Sequence, residues 1–275
     1  MKNGRTLTEV AQEIDRQQRT KRDYLAATNA ITIDASGDRN VTLKFGDQIL
    51  SADDLALRQI GEHTGVPAKY FDRMRTDAPA LLANNLNHWL HSSNEKRLIR
   101  TLDNHARAFL SDRYQRIDHA DVAEVVLPAL SVVAGLDIVS CEITDRKLYI
   151  KAVTARVQGE VKRGDVVQAG VSISNSEVGL GALRVDPLLF RLVCLNGLIR
   201  SDESFSKYHI GGKTHIGDRH LIEGGDLSRW GVVNAVTRFA NDPGIAYDRA
   251  TDLETIGGKV LDLKPTEWNE IALAA

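Results

Sequence analysis

Only two cysteines occur in 275 residues, Cys141 and Cys194, which is too few for a disulfide framework. Both fall in apolar, strand-like runs, where a free thiol behaves as a small hydrophobe. They are expected to be buried and inert in a reducing, cytoplasmic protein. No run approaches the ~18 apolar residues of a membrane-crossing helix. The opening MKNGRTLTEVAQEIDRQQRTKRD has no apolar core of a signal peptide, so no membrane association is expected. An excess of positive charge is also missing: 35 Lys and Arg stand against 37 Asp and Glu, a formal net charge of −2. A protein that holds nucleic acid by bulk charge is far more basic, so any such site must be a local patch.

Catalytic signatures are absent as well. The chain has no Gly-x-Ser-x-Gly elbow, no HExxH and no phosphate-cradling Gly-Lys-Ser/Thr. The GLG at 179–181 lacks the following helix of a dinucleotide site. His209, His215 and His220, with Asp218, are spaced too loosely for an ordinary zinc site. Cys194 lies in an apolar run that would stabilise a thiolate poorly. Neither a cofactor nor a metal is expected, and no catalytic residue is assigned. No internal repeat, low-complexity segment or long linker divides the chain.

What is present centres on residues 170–199, GVSISNSEVGLGALRVDPLLFRLVCLNGLI. Val167, Ala169, Val171 and Ile173 alternate with Gln168, Gly170, Ser172 and Ser174, the two-residue period of a strand with one apolar and one polar face. Residues 188–195 are apolar except for Arg191, as in a strand covered on both faces. A lone Arg there needs an acid, with Glu177, Asp186 or a neighbouring strand's carboxylate as the natural partner.

Before this stretch, Thr6 and Glu9 have capping-box spacing ahead of a charged helix to about Arg22. Residues 30–35 and 41–45 read as a hairpin, and Ser51 with Asp54 as a second capping box opening a helix over 52–64. Gly61, Gly65, Val66, Phe71 and Met74 have helix-turn-helix spacing, read as plain packing before recognition of DNA. A further helix covers 78–90, with Asn84, Asn85, Asn87 and His88 on its wet side. Strands follow at 97–102 and 106–110, then a helix over 122–133 capped by Asp118 or Asp121, containing Pro128 and ended by Gly135. Residues 138–144 and 147–153 make a hairpin about Asp145-Arg146, and the basic ARVQGEVKRGD connects it to the central stretch. An amphipathic helix over 227–240 and two helical pieces close the chain. The expected fold is α+β: a central antiparallel sheet with helices packed on one side and an extra N-terminal helical segment. Residues 1–95 form a mixed segment packed on a core of 96–275, together one compact domain.

The basic residues are grouped. Arg97, Arg100, Arg107, Arg113 and Arg116 lie on the first strand pair and the turn after it. Arg146, Lys147, Lys151, Arg156, Lys162 and Arg163 lie on the second hairpin and its connection, with Lys207 and Lys213 in the later glycine-rich loop. Tyr114, Tyr149 and Tyr208 are interleaved and could stack on bases. Acidic neighbours such as Asp103, Asp112, Glu142 and Glu160 support the competing reading of a solvated face.

The segments FLSDRYQRIDH (109–119), GVSISNSEVGLGALRVDPLLFRLVCLNGLI (170–199) and WGVVNAVTRFAND (230–242) occur together in this order. On them the chain resembles the phage- and plasmid-related family catalogued as domain of unknown function 932, over roughly 51–258. That resemblance implies a protein of phage, prophage or plasmid DNA, in the company of replication and recombination functions. The expectation is a cytoplasmic, homo-oligomeric protein that binds or anneals single-stranded DNA. Its phosphates would be held by Arg113, Arg116, Arg146, Lys147, Lys151, Arg156, Lys162, Arg163, Lys207 and Lys213. Ser111, Tyr114, Asn175, Glu177, Arg191 and Asn196 then serve the fold or a subunit interface. The alternative is a protein-binding module that inhibits or redirects a host system through a host protein partner. Third stands a nuclease or hydrolase using Asp112 and Glu177.

Overall fold

The computed structural model describes residues 3–35, 41–131, 133, 135–160, 166–191, 196–199 and 205–207. Its class is mixed α+β, and its strands fall into two sheets belonging to two compact units, residues 13–115 and residues 1–12 with 116–275.

The first helix, α1 (Leu7–Thr20), begins as its spacing predicts. Glu9 Oε2 accepts from the Thr6 backbone N–H at 2.7 Å, and Thr6 Oγ1 accepts from the Glu9 N–H at 3.2 Å, a reciprocal capping box. These bonds from Thr6 hold the Glu9 carboxyl below its ordinary value. Near the helix end, Arg16 Nη1 donates to both Asp103 oxygens at 2.9 Å.

In residues 13–115 the strands are β2 (Arg22–Ala27), β3 (Thr32–Asp34), β4 (Thr42–Phe45), β5 (Gln48–Ala52), β6 (Lys96–Leu102) and β7 (His105–Ser111), and the two-residue β1 (Asn3–Gly4) precedes them in the other unit. They lie in the order β2-β6-β7-β5-β4-β3, antiparallel except for the parallel β5–β7 pair. The strands at 96–111, which the sequence reading assigned to the second segment, therefore pair with N-terminal strands. Asp103 and Asn104 turn β6 into β7 with φ of 51° and 63°, the left-handed pair that a two-residue hairpin demands. Helices α2 (Asp54–His63), α3 (Ala68–Asp77) and α4 (Pro79–His91) share a core with this sheet. Ile60, Phe71, Leu86 and Leu90 are buried there with Leu43, Leu50, Ile99 and Phe109.

Ser51 does not open α2. It is spent in the sheet, opposite Thr42 and His105, and Asp53 precedes the helix without a side-chain cap. The α2–α3 turn needs Gly65 at φ 71°, and a Cβ on Gly61 would stand 2.8 Å from the Phe71 ring, so the helix-turn-helix glycines serve close packing. Asn87 leaves the wet side: its Oδ1 accepts from the Ile33 N–H at 2.7 Å and its Nδ2 donates to Ile33 O at 2.8 Å. The amide thereby pairs the edge strand β3 and blocks it as a template for further strands.

The other unit holds α5 (His119–Ser131) and the strands β8 (Leu136–Ile143), β9 (Leu148–Glu160), β10 (Val166–Asn175), β11 (Leu183–Arg191), β12 (Asn196–Ile199) and β13 (Phe205–Lys207). Their order is β1-β8-β9-β10-β11-β12, with β13 also on β11, and only β1–β8 is parallel. Much of the expected basic connection is strand, since β9 runs to Glu160 and Glu160 faces Val166. The clean alternation expected in β10 does not hold, because 169–173 are buried on both faces, Ser172 included. Gly170 permits this: a Cβ there would stand 2.1 Å from Ala152 O.

Cys141, on β8, is fully buried, and burial raises its thiol to about 11. Since the thiolate is the nucleophile, Cys141 is expected to resist iodoacetamide in the folded protein at about pH 8 and to react once the chain is denatured. A Cys194→Ser background isolates the measurement by mass spectrometry, and rapid native labelling would contradict it.

Candidate nucleic-acid interface

Asn175, Ser176 and Glu177 leave the end of β10 as three consecutive buried polar residues. Buried polar groups are retained only when bonded, and each of these ties down a different segment. Glu177 Oε1 accepts from the His119 N–H at 2.6 Å, placing a carboxylate on the first N–H of α5. Asn175 Nδ2 donates to Ile117 O at 3.0 Å and lies 3.1 Å from His119 Nδ1. Ser176 Oγ donates to Arg146 O at 3.0 Å and accepts from Leu180 N–H at 3.1 Å, fixing the 176–180 loop against the tip of the β8–β9 hairpin. The motif is thus a clasp joining the start of α5, the hairpin tip and the end of β10.

The clasp positions that hairpin. Its tip is closed by Thr144, whose N–H donates to Lys147 O at 2.9 Å and whose Oγ1 accepts from Arg146 and Lys147 N–H groups. Beyond the tip, Lys147, Tyr149 and Lys151 alternate with the buried Leu148 and Ile150, so the three share one face of β9. Lys147 Nζ lies 5.9 Å from the centroid of the Tyr149 ring, which is 39% exposed. Register extends this face over four strands. Glu142, Tyr149, Ser174 and Arg184 form one row, and Ser140, Lys151, Ser172 and Asp186 the next. The acids of the face are engaged: Asp186 accepts from Arg184 at 3.2 Å, and Glu142 lies 3.6 Å from Arg5. Lys147, Lys151 and Arg156 make no ion pair among the described residues. The result is a face on which Lys147 and Lys151, both half-buried, stand either side of the exposed Tyr149 ring, while Ser172 and Asp186 of the Lys151 row are buried.

Residues 107–227 match the family model described as Domain of unknown function (DUF932). No curated protein and no solved structure matches the chain. The matched segment begins in β7 and includes α5, β8–β13, the clasp and the hairpin face.

Arg146 and Arg156 are exposed, Arg146 lying 3.7 Å from Asp145. Arg113 is exposed in the 13–115 unit, where Ser111 Oγ accepts its N–H at 3.2 Å and Ser111 O accepts the Tyr114 N–H at 3.0 Å. Arg116 is exposed in the other unit. Lys162, Arg163, Lys213, Cys194, Tyr208 and the three loop histidines lie outside the described residues, as do the side chains of Arg191, Asn196 and Lys207 and the helices expected beyond 227. Asp186, one expected partner of Arg191, bonds Arg184.

In the first basic group, Arg97, Arg100 and Arg107 do not form a surface patch. Arg100 and Arg107 are buried, at 0% and 2% exposure. Arg97 is turned to its own neighbourhood, with Nη2 2.6 Å from His63 Nδ1 and 2.7 Å from Glu95. Burial, and then the Arg97 charge, push the His63 pKa down, which keeps the ring an acceptor. Arg184 is the face residue the sequence reading missed. Its signal was present in LRVDPLLFR, where Arg184 and Asp186 stand two apart on a strand. Among the described residues no group of three or more metal-ligating side chains is found, and no helix is long and apolar enough to cross a membrane.

Proposed function

We propose that the chain binds single-stranded DNA along β9, with the strand backbone on Lys147 and Lys151 and a base on Tyr149. The observation that carries the reading is the Lys147–Tyr149–Lys151 alternation on one face of β9, with the Tyr149 ring exposed, the two lysines half-buried and the exposed Arg146 at the hairpin tip. Cations that follow a backbone, with an aromatic ring between them, are the chemistry of sequence-tolerant single-strand recognition. Arg184 and Ser174 lie in the Tyr149 row, and Lys162, Arg163, Lys207 and Lys213 add further positive charge. The resemblance to a phage- and plasmid-related family supports a cytoplasmic role in replication or recombination of a mobile element.

Because the chain as a whole carries a net charge of −2, attraction is local, and binding is expected to be strongly salt-dependent. Three to four phosphate contacts give a slope of log K against log salt of about −2 to −3 on single strands. Fluorescence anisotropy of a labelled oligonucleotide is the direct test. Lys147→Ala with Lys151→Ala is expected to flatten the slope by roughly 1.4, and Tyr149→Ala to weaken binding by about 1–3 kcal/mol without changing it. Absence of binding at low salt would refute the proposal.

A further inference from the structure

We propose that the Gly179-Leu180-Gly181 loop closes the hairpin-tip end of the Tyr149 face and touches the phosphate held by Lys147, with Leu180 against the nucleotide beyond it. This rests on the reading of β9 as a single-strand site and adds the residues that the strand meets next. Gly179, Leu180 and Gly181 are three consecutive exposed residues between the buried Val178 and the half-buried Ala182. The loop is tied down at its base. Ser176 Oγ accepts from the Val178 N–H at 3.4 Å and the Leu180 N–H at 3.1 Å, and it donates to Arg146 O at 3.0 Å. Leu180 is thereby fixed beside the hairpin tip while remaining 37% exposed.

Lys147 links the loop to the face. Its Nζ lies 5.9 Å from the Tyr149 ring centroid and 4.0 Å from where a Cβ on Gly181 would stand. Apart from the glycine's chain neighbours, no other described residue comes within 4 Å of that point, so the space over Gly181 opens onto the ammonium. Gly179 has φ 80° and Gly181 φ 150°, conformations that L side chains rarely adopt. Both positions therefore keep bare backbone at the surface, which a phosphate can approach closely. Nothing in the loop opposes an anion. Residues 178–182, VGLGA, carry no charge, and the neighbouring Glu177 is buried with Oε1 on the His119 N–H. Lys151 and Lys147 stand four residues apart on β9, about 13 Å, with Tyr149 between them. A nucleic-acid backbone that follows these cations towards the tip passes Lys147 and reaches the loop next. Leu180 offers the following nucleotide an apolar surface that is already ordered, so contact costs little conformational entropy.

Leu180→Lys in the full chain is the decisive variant, because a disturbed loop can only lose affinity whereas this change is expected to raise it. In fluorescence anisotropy with a labelled single-stranded oligonucleotide, the added ammonium beside the Lys147 phosphate is expected to steepen the slope of log K against log salt by about 0.7. Leu180→Glu is expected to weaken binding about fourfold at low salt, the repulsion of two unit charges about 5 Å apart in water. Leu180→Trp reads contact directly: its added emission is expected to be quenched by a saturating unlabelled oligonucleotide, as a base stacks on the indole. If the wild-type protein binds and Leu180→Lys leaves the slope unchanged, or the Leu180→Trp emission does not respond, the strand does not reach the loop. This inference is then overturned while the β9 reading stands. A wild-type protein that fails to bind at low salt overturns the β9 reading, and this inference with it.

Discussion

Asp23→Ala is expected to destabilise the protein by about 3–5 kcal/mol. Arg100 is completely buried, and Asp23 stands directly opposite it on β2. Arg100 Nε donates to Asp23 Oδ1 at 2.9 Å and Nη2 to Oδ2 at 3.1 Å, a fork that satisfies a planar carboxylate. Removing the acid leaves a guanidinium in the interior without its counter-charge, and Arg cannot shed its proton to escape. Replacing both partners removes the desolvation penalty with the attraction, so Asp23→Leu/Arg100→Met is expected within about 1.5 kcal/mol of wild type. Urea unfolding monitored by circular dichroism separates these cases. A single variant within about 1 kcal/mol of wild type would show that water reaches Arg100.

The second large effect is at Glu177, whose buried carboxylate receives the first N–H of α5 at 2.6 Å. Glu177→Ala leaves that donor unsatisfied and opens a void, at a cost of about 3 kcal/mol. Glu177→Gln keeps an acceptor of the same shape but loses the charge assistance, for about half the loss. Single-stranded DNA affinity is expected to be unchanged in Glu177→Gln, because the clasp positions the hairpin without lining its face. Equal stability of the Ala and Gln variants would remove the clasp as an explanation. Magnesium-dependent cleavage lost in a folded Glu177→Gln protein would restore the nuclease reading.

Local elements were legible wherever a short-range rule decides the backbone. The Thr6–Glu9 box, the hairpins about 36–40 and Asp145-Arg146, and the helix ahead of Gly135 all depend on residues within a few positions. Ser51 shows the boundary of such rules. Its capping spacing is as good as that of Thr6, yet pairing with Thr42 and His105 claims its backbone first.

Side-chain roles were legible only in part. The Lys147–Tyr149–Lys151 face follows from strand alternation alone, since period two assigns sides without knowledge of the neighbours. Arg100 and Arg107 stand among the basic residues of the first strand pair, yet both are buried, because the interiors of β6 and β7 are covered on both faces. Nothing in KRLIRTL says that an aspartate some 77 positions earlier will stand opposite. Asn87 is similar, a polar residue on a helix whose partner is a strand edge 54 positions away.

From sequence alone came the α+β class, most of the elements, a thiol destined for the interior and the strand that carries the candidate site. These follow from hydrophobic period, turn chemistry and composition, which act over a few residues. Only the tertiary structure decided the division of the strands into two sheets, the burial of Arg100 with Asp23, and the use of Asn175, Ser176 and Glu177 as a clasp. Those outcomes depend on which distant segments meet, and a charge or an amide takes its role from the group placed opposite it.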